Sequence, residues 1–293
     1  MKRIVLALKP VKALSYFKKG FIPFIILLNC IGLNAQRWRI VGNEQQLATV
    51  SSSYTGVTTV LEGSVSVPYV VFIEGGIAKV KRLTSSGWQA VGNDVATGSP
   101  TYSRIVADRN GKLFVSYIDV ANSSRLAVKT YNAAKNTWEP LGGLTANLYL
   151  SNTSVAYTIT SAYNSTPRHQ LTFDTANQPL MVYSEGADLN PNVKRFNGTA
   201  WVSVGNTPIY TDKAIGVGIG VDSTTNTPYI VYIKLATASS STGGLVVARF
   251  NNTTWDSIPI PNPVAGGSAT TGATISIRHS SISFNKAWNP VVS

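Results

Sequence analysis

The chain has 293 residues, 44% of them hydrophobic and 13% charged, with 25 Lys and Arg against 13 Asp and Glu. That composition excludes a disordered polyelectrolyte and leaves enough apolar residues for a sizeable core. Cys30 is the single cysteine, so everything after it lacks the means for a disulfide framework or a thiolate metal site.

Residues 1–35 read as a secretory signal peptide. Lys2, Arg3, Lys9, Lys12, Lys18 and Lys19 precede an apolar run from Phe21 to Leu33, and Leu33-Asn34-Ala35 supplies a small-residue exit. The run is shorter than the about 20 residues that a membrane span needs, although an uncleaved N-terminal anchor is the competing reading. Without the leader, 19 basic residues face 13 acidic ones. They are scattered, so no basic stripe marks a nucleic-acid surface. No transmembrane segment is predicted after the leader.

From Trp38 onward the chain repeats. Trp38-Arg-Ile-Val41-Gly42, Trp88-Gln-Ala-Val91-Gly92, Trp138-Glu-Pro-Leu141-Gly142, Trp201-Val-Ser-Val204-Gly205 and Trp255-Asp-Ser-Ile258-Pro259 share Trp-x-x-aliphatic, four of them followed by Gly. The intervals suit propeller blades of about 40–50 residues with loop insertions. A second column reads Pro68-Tyr-Val-Val-Phe72, Leu113-Phe-Val-Ser-Tyr117, Pro179-Leu-Met-Val-Tyr183 and Pro228-Tyr-Ile-Val-Tyr232. A third, from Ala78, Leu126, Asn192 and Val246, alternates apolar with basic or polar residues as strands do. A fourth, Thr58–Leu61, Arg104–Ala107, Gln170–Phe173, Gly218–Val221 and Ser281–Phe284, precedes the second.

Four short strands per unit, without helical periodicity, predict an all-β protein: a β-propeller of four-stranded antiparallel blades. A β-sandwich would not place the same tryptophan at one strand position again and again. In chain order, residues 37–43 are an outer closing strand, and blades fall at approximately 47–94, 101–143, 168–206 and 214–260. A partial blade spans 274–293. Residues 145–166 form an insert in which Tyr149, Tyr157, Ile159 and Tyr163 alternate enough for an extra hairpin. The partial blade is read as the mark of a fragment of a longer protein. Trp38, Trp88, Trp138, Trp201 and Trp255 are assigned to packing between blades, because each repeat must bury its face on its neighbour. The alternative role for these rings is sugar stacking. The glycine after them fits a turn with positive φ.

These units resemble the Tyr-Val-Ala-Tyr…Trp-Val-Asn-Val-Gly propeller repeats of secreted and surface bacterial proteins, which are loosely kin to kelch propellers. The matching stretches are Pro228-Tyr-Ile-Val-Tyr232, Val193-Lys-Arg-Phe-Asn-Gly198 and Trp201-Val-Ser-Val-Gly205. The resemblance covers nearly all of 37–293 and implies binding or adhesion more than catalysis. Asn136-Thr-Trp138 and Thr253-Thr-Trp255 resemble the tail of the sialidase Asp-box, but both lack its aspartate. They imply a shared turn, not a shared activity.

One face of such a propeller gathers the ends of the second strands, with Glu74, Asp119, Glu185 and Lys234, and the starts of the first, with Arg104, His169, Gln170 and His279. A rim of this kind could take a polar ligand or a cation. The plainer reading has the acids accept hydrogen bonds from turn amides. Two histidines without a mature cysteine argue against zinc, while an all-oxygen calcium site stays open. No cofactor is expected. Nucleophile elbow, metalloprotease and phosphate-loop motifs are missing, so no catalytic residue is assigned. Asp174-Thr-Ala, Asp222-Ser-Thr and Asp256-Ser-Ile match a short bacterial O-glycosylation signal, but such short motifs recur by chance and two of the three lie in predicted turns where Asp is expected anyway. The expected function is a secreted or cell-surface module recognising glycan or protein. The alternatives are the propeller of an exported glycoside hydrolase or polysaccharide lyase, or a structural spacer.

Overall fold

In a computed structural model the described residues are 47–141, 149–155, 168–235, 243–259, 280–287 and 289–292. The predicted leader, the Trp38 segment and His279 lie outside them. All described residues belong to one compact unit, Ile40–Ser293.

Eighteen strands and one 3-10 turn at Val120–Asn122 account for the regular structure of these residues. The first sheet contains β1 (Ser52–Glu62), β2 (Val65–Glu74), β3 (Ile77–Thr84) and β4 (Gly87–Ala90). The second contains β5 (Thr101–Ala107), β6 (Leu113–Asp119), β7 (Arg125–Asn132) and β8 (Thr137–Pro140). The third contains β9 (His169–Phe173), β10 (Pro179–Glu185), β11 (Asn190–Phe196) and β12 (Trp201–Ser203). The fourth contains β13 (Lys213–Asp222), β14 (Thr227–Leu235), β15 (Gly243–Phe250) and β16 (Trp255–Ile258). A two-stranded sheet of β17 (Ile282–Phe284) and β18 (Pro290–Val292) follows. Each full sheet is an antiparallel meander in sequence order.

The first strands of successive sheets pack side by side, β1 on β5, β5 on β9, β9 on β13 and β13 on β17. Sheets that meet along their first strands and turn their last strands outward are the blades of a β-propeller. A middle strand is then covered on both faces. Accordingly, every residue of Leu113-Phe-Val-Ser-Tyr-Ile-Asp119 in β6 is buried. A run of this length that is apolar but for Ser116 and Asp119 is the pattern of a covered strand.

The repeated tryptophan locks one blade to the next. Trp138 Nε1 donates to the Val91 carbonyl of the preceding blade at 2.8 Å, and Trp255 Nε1 donates to the Val204 carbonyl at 2.8 Å. Both rings are buried. The motif therefore works in pairs: the indole of one copy closes on the aliphatic-Gly turn of the copy before. That turn must be tight and bare. Gly92 has φ +72, and a Cβ there would stand 2.9 Å from Cδ1 of Trp138. Trp201 packs on Phe196, with ring centroids 5.5 Å apart, and its Nε1 makes no equivalent bond.

At the opposite ends of the first strands, turn side chains join the blades. Asn177 Nδ2 donates to Asp108 Oδ2 at 2.9 Å, and the Thr175 amide donates to Asn226 Oδ1 at 2.9 Å. Asp174 and Asp222 accept hydrogen bonds within their own turns. The region read as an insert is described only at 149–155. That stretch runs along the start of β7, with the Leu150 amide on the Leu126 carbonyl and the Val155 amide on the Ser124 carbonyl. The other residues of the expected hairpin lie outside the described ones.

Candidate functional site

Three of the inner strands depart from regular pairing near their starts. Register shifts fall between Ser53 and Gly56 in β1, between Thr101 and Arg104 in β5, and between Ile215 and Gly218 in β13. Such bulges re-aim side chains and concentrate near binding sites. The bulge needs a left-handed residue, and in β13 that residue is Gly216, φ +59. In β1 and β5 it is Tyr54, φ 50, and Tyr102, φ 52. A bulky residue in this region costs about 1–3 kcal/mol, a cost that the glycine of the fourth blade avoids.

The two tyrosines meet across the blade boundary, with ring centroids 4.7 Å apart and planes at 39°. Arg168, just before β9, continues the row. Its Cζ lies 4.5 Å from the centroid of the Tyr102 ring, and its Nη2 donates to the Tyr102 hydroxyl at 2.9 Å. Tyr54, Tyr102 and Arg168 are equivalent positions of three consecutive blades, two residues before Gly56, Arg104 and Gln170. The latter three are equivalent too, because their strand partners are Val71, Ser116 and Val182. Gly218, opposite Val231, occupies the same place in the fourth blade.

Tyr54 and Tyr102 of the first row and Gly56, Arg104 and Gln170 of the second border a cavity of about 440 Å³, lined also by Ser103 and Leu171 among others. Its size falls in the range of roughly 300–1,000 Å³ usual for small-molecule sites. Gln170 Oε1 accepts from the Ile219 amide at 3.1 Å, which leaves the Nε2 end of the amide to donate. Burial, with Tyr102 alongside, raises the Tyr54 phenol above its ordinary 10.0, so it stays neutral and able to donate. Arg104 makes no hydrogen bond or ion pair among the described residues, and burial alone lowers its pKa.

Of the residues singled out from sequence, Arg104 and Gln170 come together in this cavity. His169 does not. Its side chain is fully buried between the second and third blades, where Nε2 lies 2.9 Å from Ser116 Oγ and Nδ1 has no partner. Burial above all, then the positive Arg104, pushes its imidazole down to about 3, so it is neutral. A Ser–His contact is the start of a nucleophilic site, but Ser116 is also buried.

The carboxylates hold loops. Glu74 Oε1 accepts from the Thr49 amide at 2.5 Å and from the Val50 amide at 3.3 Å, while Oε2 takes Lys79 Nζ at 2.9 Å. The Lys79 ammonium and these donors bring its carboxyl down to about 2. Asp119 Oδ2 accepts from the Tyr149 hydroxyl at 2.7 Å and from Asn122 Nδ2 at 2.9 Å. Glu185 Oε2 accepts from the Asn152 amide at 3.0 Å. Lys234, in the same column, pairs with Asp212 at 2.7 Å. His279 lies outside the described residues. Among those described, no three His, Cys, Asp or Glu side chains gather as metal ligands would.

Sequence reasoning passed over Tyr54, Tyr102 and Arg168. A signal existed: Ser53-Tyr-Thr-Gly56 and Thr101-Tyr-Ser-Arg104 repeat a tyrosine between two hydroxyl residues at one blade position. A second unread pattern is a lysine row. Lys81, Lys129 and Lys194 each donate to the carbonyl of the loop leading into their own blade, at Leu47, Val95 and Leu150, over 2.6, 2.5 and 2.6 Å.

Neither a protein-family model nor a curated protein sequence matches the chain. Solved structures do resemble it. An exo-β-1,3-galactanase from Phanerochaete chrysosporium is 12% identical, with TM-score 0.43, over 74% of this chain and 52% of that one. An endo-arabinase from Bacteroides thetaiotaomicron is 10% identical, TM-score 0.42, over 80% of this chain and 87% of that one. AofleA from Arthrobotrys oligospora is 10% identical, TM-score 0.45, over 81% and 64%. The chain spans about half the length of the galactanase. At such distances the chemistry of this chain must be read from its own residues. No helix among those described is long and apolar enough to cross a membrane.

Proposed function

We propose that this propeller is a secreted or cell-surface protein that recognises carbohydrate in the channel between its first three blades. The observation behind this reading is the Tyr54–Tyr102 pair. Both side chains are kept at a left-handed bulge position that Gly216 fills without strain. Selection for stability alone would favour the glycine. Retaining two aromatic rings there implies that the rings are used. Sugars present apolar C–H faces and polar edges. Tyrosine rings suit the first, and the donor end of the Gln170 amide suits the second. The leader-like residues 1–35 support export.

A glycan array probed with the protein carrying residues 36–293 tests this. Selective binding that is abolished in Tyr102→Ala, with cooperative unfolding retained, supports the reading. Binding of no glycan, or binding indifferent to Tyr102→Ala, would refute it. The same cavity would serve the alternative, an exported carbohydrate-active enzyme. Release of new sugar ends from a polysaccharide by the wild-type protein, absent in Tyr102→Ala, would turn recognition into turnover.

A further inference from the structure

We infer that the glycan taken by this channel is anionic, with its carboxylate or sulfate group seated on Arg104. The inference rests on the carbohydrate reading above and adds the class of sugar. Blade geometry does not require an arginine at this place, since the equivalent residues are Gly56, Gln170 and Gly218. Only the second of these four blades puts a charge there.

That charge is unanswered. Arg104 lines the cavity, yet among the described residues it has neither ion pair nor hydrogen bond, and no carboxylate lines the cavity with it. Burial alone perturbs it, with no compensating acid. A guanidinium partly withdrawn from water loses hydration that only an anion or a set of acceptors restores. The surroundings add donors and positive charge. Arg168 lies behind Tyr102. Gln170 turns its acceptor to the Ile219 amide, which leaves its donor end. A planar guanidinium matches a carboxylate or sulfate with two parallel hydrogen bonds, while the tyrosine rings hold the pyranose face beside it.

The experiment uses an array that pairs galacturonan, alginate, sialylated and sulfated oligosaccharides with their carboxyl-reduced, asialo or desulfated counterparts. The best acidic ligand and its neutral counterpart are then titrated against wild type and Arg104→Gln, the residue the third blade carries at this position. The acidic ligand is expected to bind about tenfold or more tightly than its counterpart, and Arg104→Gln to collapse that preference toward one. Carboxylate and sulfate arms tell which group the site takes. Equal affinity for acidic and neutral forms, or a preference unchanged in Arg104→Gln, would overturn the inference and leave the carbohydrate reading standing. A wild-type protein that binds no glycan would overturn both.

Discussion

Replacing the buried Ser116–His169 pair with two valines should remove a pH dependence from the stability of the protein. The folded state holds His169 neutral, because burial and then Arg104 push its imidazole from 6.5 down to about 3. If protonated, Nδ1 would have no acceptor to donate to. In the unfolded chain the imidazole titrates near its ordinary value. The unfolded state therefore binds the extra proton, so this contribution is complete above pH 6.5 and is lost as pH falls toward 3. Between about pH 7.5 and about pH 5 the linkage amounts to about 2 kcal/mol. Glu74 acts in the same direction but in a lower window, from 4.5 down to about 2, and leaves the upper interval to histidine. The valine pair is the repeat's own solution: Val71, Val182 and Val231 stand at the position of Ser116, and Val217 at that of His169. Removing both polar partners together avoids stranding either one. Urea unfolding of wild type and Ser116→Val/His169→Val at the two pH values measures the effect. The wild type should lose about 2 kcal/mol more than the double variant on going to the lower pH. Equal losses would show that His169 is solvated and protonates freely, contrary to its fully buried position.

Trp255→Phe keeps most of the ring but strands the Val204 carbonyl, and should cost about 1–3 kcal/mol in urea unfolding. A cost below about 0.5 kcal/mol, the level of an ordinary surface change, would contradict the inter-blade lock. Tyr54→Gly should leave stability within about 1 kcal/mol of wild type, because relief of the left-handed strain offsets the lost ring contacts, while glycan affinity falls. A larger loss of stability with affinity intact would make Tyr54 a packing residue instead.

The blades were legible because the strands are short, the middle ones are largely buried, and turn residues separate each from the next. The recurring tryptophan fixed their phase. What Trp-x-x-aliphatic-Gly does was half legible. Packing was expected, but the indole N–H of one copy bonding the turn of the previous copy is a contact between repeats, and no single repeat contains it. The channel rows were hidden by register. Sequence alignment set Leu61 against Ala107, whereas strand pairing sets Thr59, opposite Pro68, against Ala107, opposite Leu113. The β1–β2 hairpin runs on to Glu62 and Val65, which displaces the first blade by two residues. Bulges then shift the side-chain alternation before Gly56 and Arg104, so Tyr54 and Tyr102 do not stand out by period. The acids at the ends of the second strands were expected either as a ligand rim or as acceptors for turn amides. The unpaired amides of the adjoining loops are nearer and engage Glu74 and Glu185.

The most direct test is a crystal structure of the protein with the best acidic oligosaccharide from the array. The account predicts its pyranose ring against Tyr54 and Tyr102, with the acidic group within hydrogen-bonding distance of the Arg104 guanidinium. An oligosaccharide on the outer faces of the blades, or one in the channel with its acidic group turned away from Arg104, would contradict it.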